Sequence, residues 1–203
     1  MINTTRLRCL LGWLAMSLPF IVLILALAYG FGIPQSISAT YYFSTCITPF
    51  MIILGASSIL LISYKGYDKQ DDIICTLAGI FGLGICLFSC GATELTRVGT
   101  FMILTPISAV LHNVVAIIFF ALLAYNSLFL FTKTSGEMTK NKKKRNIIFK
   151  VCGVGMIGSF ALLIPLLLCK VQFGIWLVEA IALEFFGISW LTKANYYSWL
   201  WAD

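Results

Sequence analysis

The chain has 203 residues, of which 60% are hydrophobic and only 11% charged, with a formal net charge of +6. An average globular domain carries about 25% charged residues, so a chain with a mean hydropathy of +0.97 has too little polar surface to cover a water-soluble particle. The totals exclude an ordinary soluble enzyme and point to lipid as the solvent; the basic excess sits in a few segments beside apolar runs, and no nucleic-acid partner is expected from it.

The elements follow from the apolar runs. Arg6 and Arg8 precede the first, residues 10–33. It exceeds the 7–15 residues or so of a signal-peptide core, so an uncleaved span is expected, with a local kink at Pro19. Gly30-Phe-Gly-Ile-Pro34 marks its end, and the polar, uncharged, aromatic loop Pro34–Tyr42 suits an interface. A second span is expected over 44–63, then the charged turn Tyr64–Asp72, then a third span over 73–91 containing Gly79, Gly82 and Gly84. A loop carrying Glu94 and Arg97 leads to the fourth span, 108–131, with the only histidine, His112, near its start. The basic loop Lys133–Arg145 follows, then a fifth span over 147–168, a short turn Cys169–Phe173, and a sixth span over 174–192 holding Glu179 and Glu184. The tail Asn195–Trp201 reads as an aromatic interfacial anchor.

This pattern predicts an all-α polytopic membrane protein, a single six-helix domain over 1–203. Twelve of the 14 lysines and arginines fall on the side of the N-terminus and of the basic loop. The positive-inside bias therefore places both termini and that loop in the cytoplasm, and the expected location is the plasma membrane, a bacterial inner membrane. Lys140, Lys142, Lys143, Lys144 and Arg145 are expected to attract anionic lipid. Small-residue helices also suit homo-oligomer contacts. The seven cysteines include no C-x-x-C; Cys46, Cys90 and Cys169 lie near the outer face, where pairing is open but not implied.

Several groups could carry chemistry. Gly153-Val-Gly-Met-Ile-Gly158 matches a dinucleotide fingerprint but lies inside an apolar span, without the preceding strand the motif needs; helix packing accounts for it. Asp68, Asp71 and Asp72 could hold Mg²⁺ beside a phosphate, yet no second acidic motif faces the same side, and a solvated turn explains them more simply. No cofactor is expected. Ser36 and Ser38 lack the G-x-S-x-G elbow of a hydrolase and read as turn and ligand-contact hydroxyls. Ionisable residues inside a span face the interior or a wet cavity. Glu179 lies roughly 7 Å from the outer end of its helix at 1.5 Å per residue, the depth of His112, and the two are expected to pair; an outer-loop hydroxyl is the other partner open to Glu179. Glu184 lies deeper, about 140° around the helix from Glu179, and is expected to hydrogen-bond within the bundle.

Pro34-Gln-Ser-Ile-Ser38 after the first span, the short charged turn, the glycine-rich third span and His112-Asn-Val-Val-Ala116 followed by Phe119 and Phe120 together resemble the Frag1/DRAM/Sfk1 superfamily of six-span membrane proteins, over residues 10–190. Tyr64-Lys-Gly-Tyr-Asp68, Phe131-Thr-Lys133 and Phe186-Gly-Ile-Ser-Trp190 are also similar to a group of uncharacterised bacterial membrane proteins. The superfamily resemblance implies a role at or on membrane lipids. The expected function is binding of a lipid or small amphiphile in an outer-leaflet pocket formed by Ser36, Ser38, His112 and Glu179, with Glu184 as a further ligand-facing group. Three other classes stay open: a lipid-modifying enzyme at the same site with His112 as general base and Glu179 as a further catalytic candidate, a small transporter or channel using Glu184, and a non-catalytic assembly subunit.

Overall fold

Hydrocarbon offers the backbone no hydrogen-bond partner, and a helix satisfies its amides within each apolar segment. A computed structural model describes residues 3–91, 94–134 and 136–198. Among these residues the apolar runs form six α-helices: α1 Thr4–Ala28, α2 Ile47–Ser63, α3 Lys69–Leu87, α4 Thr105–Tyr125, α5 Lys140–Leu168 and α6 Gly174–Lys193. A 3-10 turn at Ser38–Tyr42, a π-helical turn at Asn126–Leu130 and a small antiparallel hairpin, β1 Arg97–Val98 with β2 Ile103–Leu104, complete the regular structure. Ala92 and Thr93 of the α3–α4 loop, Ser135 of the basic loop and Trp199 and Trp201 of the aromatic tail lie outside the described residues.

Five helices are long and apolar enough to cross a membrane. The second, α2, has 17 residues, about 26 Å at the helical rise and a few Å short of the ~30 Å hydrocarbon core. The helix starts also differ from the apolar runs, and polar caps explain the shift. Asn3 Oδ1 accepts from the Thr5 amide at 3.0 Å, Asp68 Oδ1 from Asp71 at 3.0 Å and Thr139 Oγ1 from Lys142 at 3.2 Å. Each cap supplies an acceptor to amides that have no partner inside the helix, so α1, α3 and α5 begin at residues 4, 69 and 140 instead of 10, 73 and 147. The run Lys140–Arg145 is thus the first turns of α5, not a loop. At its far end α1 stops at Ala28, not residue 33, because Gly30 and Gly32 take φ of +79° and +78°, a region that favours glycine.

Neighbouring helices in the chain pack side by side, and α1 also packs against α6, closing the six into a ring. The helix directions alternate. Contacts between Lys133 and Asp68, and from Arg8 to the Lys193 carbonyl, gather one end of the bundle, called the basic end below. Trp176 to Gln35 and Tyr42 to Cys90 gather the opposite end. Glycine permits the closest crossings: a Cβ on Gly187 would meet the Gly12 carbonyl at 2.8 Å where α6 crosses α1, and one on Gly79 would meet the backbone of Ser58 where α3 crosses α2. Trp190, 1% exposed, centres the core near the basic end against Tyr64, Phe131 and Phe186.

One joint of the ring is loose. The last buried residue of α5 is Ser159, and none of residues 160–168 is buried. That half of α5 stands off from α4 and leaves a gap toward the opposite end.

Candidate functional site

The gap is a cleft of about 590 Å³ between α4, α5 and α6. Ala116, Ile117, Phe120 and Ala121 line it from α4; Met156, Ile157, Phe160 and Leu163 from α5; Ile175 and Val178 from α6. Only His112, Asn113 and Glu179 bring polar side chains to its wall. Ile117 and Ile157 are 65% and 56% exposed, so the cleft opens on the perimeter of the bundle. Its volume and its apolar lining with a few convergent polar groups match a small-molecule site, typically about 300–1,000 Å³.

Both ionisable residues singled out in the sequence reach this cleft, but they do not pair. Helix α3 ends at Leu87, which leaves the carbonyls of Phe88 and Ser89 without helical partners. Ser108 and His112, one turn apart on the same face of α4, supply the donors. Ser108 Oγ donates to the Ser89 carbonyl at 2.8 Å, and His112 Nδ1 lies 2.7 Å from the Phe88 carbonyl. A carbonyl only accepts, so Nδ1 carries the proton, and in the neutral ring Nε2 keeps the lone pair. Glu179 is engaged elsewhere: its Oε2 accepts from the Ile37 amide at 2.6 Å. The partner is therefore a backbone N–H at the start of the 3-10 turn, not His112 and not a loop hydroxyl. The bond pins the first loop to α6, alongside the Trp176 amide donating to the Gln35 carbonyl at 2.9 Å.

The loop serines stand beside this contact. Ser36 Oγ accepts from the Ala39 amide at 2.9 Å and shapes the turn. Ser38 is buried next to Glu179, lining a small void of about 30 Å³. Neither is on the wall of the main cleft. Glu184 is away from it as well. It is partly buried, and its Oε1 has no hydrogen-bond partner among the described residues, so the expected bond within the bundle is not seen there. Its rotation around α6 from Glu179 turns it to a different face.

The acidic trio at the basic end is fully occupied by the turn it builds. Asp68 caps α3. Asp71, 2% exposed, accepts from the Tyr67 amide at 3.0 Å, and Asp72 from the Gly66 amide at 2.8 Å and from Lys65 at 3.4 Å. Lys133 lies across Asp68 at 2.8 Å and Asp71 at 3.1 Å. Among the described residues no three histidine, cysteine or acidic side chains converge on a metal position. Gly153 to Gly158 lie within α5, where a Cβ on Gly153 or Gly155 would collide with Leu128 or Phe185, a helix-packing arrangement. All seven cysteines are free, Cys46 buried and Cys169 exposed.

Two features were not singled out from the sequence. Asn126 and Ser127, in the π turn, make a buried polar layer: Asn126 Nδ2 donates to Cys75 Sγ at 3.1 Å, and Ser127 Oγ donates to the Phe149 carbonyl at 2.8 Å and lies 2.7 Å from Ser189 Oγ. Isolated polar residues in an apolar run were the available signal. The other is Lys193, counted only as a topological charge, which is 7% exposed. Compared with known protein families, with characterised proteins and with solved structures, the chain matches none.

Proposed function

We propose that this is a six-span membrane protein that binds a lipid or small amphiphile in the α4–α5–α6 cleft and acts at or on membrane lipids. The observation that carries the reading is the cleft itself: an apolar cavity open to the bundle perimeter, with His112 and Glu179 on its wall at one end. In a bilayer an acyl chain would lie along Ile117, Phe120, Phe160 and Leu163, with its polar head against His112 Nε2, Asn113 and Glu179. The basic end faces the cytoplasm in this reading, on the positive-inside bias, so the polar wall lies toward the outer leaflet. The family resemblance of the Pro34–Ser38 and His112–Ala116 segments agrees with lipids as the ligand class.

The test is native mass spectrometry of the full chain released from mild detergent. Wild-type protein should retain a lipid or amphiphile of defined mass. Ala121→Trp, an exposed cleft-wall substitution, should lose it without loss of fold. Equal retention by wild type and Ala121→Trp would overturn the cleft as the site.

A further inference from the structure

The basic end holds a second cavity, about 730 Å³, with Asp68, Lys133, Glu137, Lys142, Arg145 and Lys193 on its wall. Its cations are unequally satisfied. Lys133 spends its three donors on Asp68, Asp71 and Gln70. Lys142 Nζ donates once, to the Phe131 carbonyl at 2.8 Å. Arg145 Nη1 reaches Asn195 at 3.3 Å, but its buried Nε has no partner among the described residues. Lys193 is the extreme case: the side chain is buried, and its Nζ has no hydrogen-bond acceptor among the described residues. The ammonium sits over the faces of Tyr67 and Phe131, 4.2 and 4.6 Å from their centroids. Ring faces attract a cation but accept none of its three protons in an ordinary hydrogen bond. Asp68 is taken by Lys133, which leaves exposed Glu137 as the one other carboxylate on the wall.

A buried ammonium without an acceptor is costly, and such a group gives up its proton unless an anion completes it. We infer that this cavity is an anion site for a terminal phosphate group, with Lys193 at its floor and Lys142 and Arg145 at its sides. The tetrahedral oxygens of a phosphate match two ammonium groups and a guanidinium edge, which donate charge-assisted hydrogen bonds. The group is supplied either by the head of an anionic lipid such as phosphatidic acid or by free phosphate. The site differs from the diffuse attraction of Lys140, Lys143 and Lys144, which are exposed and do not line the cavity, and it lies at the opposite end of the bundle from the cleft.

The experiment titrates the purified full chain with dioctanoyl phosphatidic acid below its micelle concentration, with dioctanoyl phosphatidylcholine, and with inorganic phosphate, following binding by calorimetry. Saturable binding of phosphatidic acid but not phosphatidylcholine is expected. Lys193→Met should weaken it about tenfold or more, as loss of one charge-assisted hydrogen bond implies. Lys193→Met should melt no lower than wild type without ligand, since an apolar chain replaces an unpaired buried cation; should it misfold, Arg145→Gln carries the same comparison. Lys140→Gln/Lys143→Gln/Lys144→Gln should stay within about twofold, because exposed charges contribute little. Phosphate binding with the same Lys193 dependence would name free phosphate as the source, and binding of phosphatidic acid alone would name the lipid. Absence of saturable binding to both, unchanged affinity in Lys193→Met and Arg145→Gln, or loss in the triple variant alone would overturn the site. The Ala121→Trp variant should bind as wild type, which separates this result from that of the cleft.

Discussion

Single side chains decide how the two ends are tied. The Ile37 amide donates to Glu179 in a protected place, and leaving such a buried donor without an acceptor costs about 1–3 kcal/mol. Glu179→Ala should cost that much in thermal stability, whereas Glu179→Gln, which keeps an acceptor oxygen, should cost less than about 1 kcal/mol; equal losses would show that the bond does not hold the loop. At the other end, the Lys133 ammonium beside Asp68, together with the Asp71 amide, holds the Asp68 carboxyl below its ordinary range. For Lys133, burial pulls its pKa down, but the hydrogen bonds to Asp68 and Asp71 outweigh it and raise it. A lowered carboxyl contributes stability that is complete above about pH 4 and lost as pH falls through the folded value; a raised lysine contributes below about pH 10.4 and loses it as pH rises through its own. The clamp is therefore complete across neutral pH. Lys133→Met should flatten the acid limb of an unfolding-versus-pH curve below about pH 4, and an unchanged limb would mean the clamp adds nothing. The sequence made Glu179 and His112 legible as candidates, since charge inside an apolar run is conspicuous. It did not reveal their partners, because the acceptor for His112 and the donor to Glu179 are backbone groups freed by helix ends that apolar runs do not mark.

The helices were legible as elements, and their starts were not. Apolar length identifies the buried stretch of α5, while Thr139, eight positions before the expected start, determines where the helix begins. Packing at the glycines gives an element-scale test. Gly187→Val would drive a branched side chain into Met16 and the Gly12 carbonyl and should cost about 1–3 kcal/mol, as overpacking does. Gly158→Ala meets nothing within 4 Å and should stabilise α5 by up to about 1 kcal/mol. Thermal melts in one detergent check both, and similar shifts in the two would refute the close crossing of α1 and α6. The contrast also separates two glycines that a motif reading treats alike: Gly155 is in contact with Phe185, and Gly158 is open.

The whole molecule poses the question of orientation, which the proposed function answers with the basic end inward. Cys169 is the one exposed cysteine of the seven and lies in the turn between α5 and α6 at the opposite end. A membrane-impermeant maleimide should label it on intact cells, Cys169→Ser should abolish that label, and Lys144→Cys, made in the Cys169→Ser background, should react only after permeabilisation. The reverse pattern would invert the topology. The ring closure was not legible in the sequence, because hydropathy measures how much of each helix is apolar and says nothing of which neighbours it meets. The loose joint between α4 and α5 was hidden for the same reason.

That joint changes what concentration means for a ligand. Its mouth is on the flank of the bundle, between Ile117 and Ile157, so under the proposed function the aqueous phase would not be the reservoir that feeds it. A molecule entering there would arrive by sliding in the plane of the surrounding film. Occupancy would follow its mole fraction among neighbouring lipids: diluting the buffer would leave the site filled, while diluting the film with inert lipid would empty it.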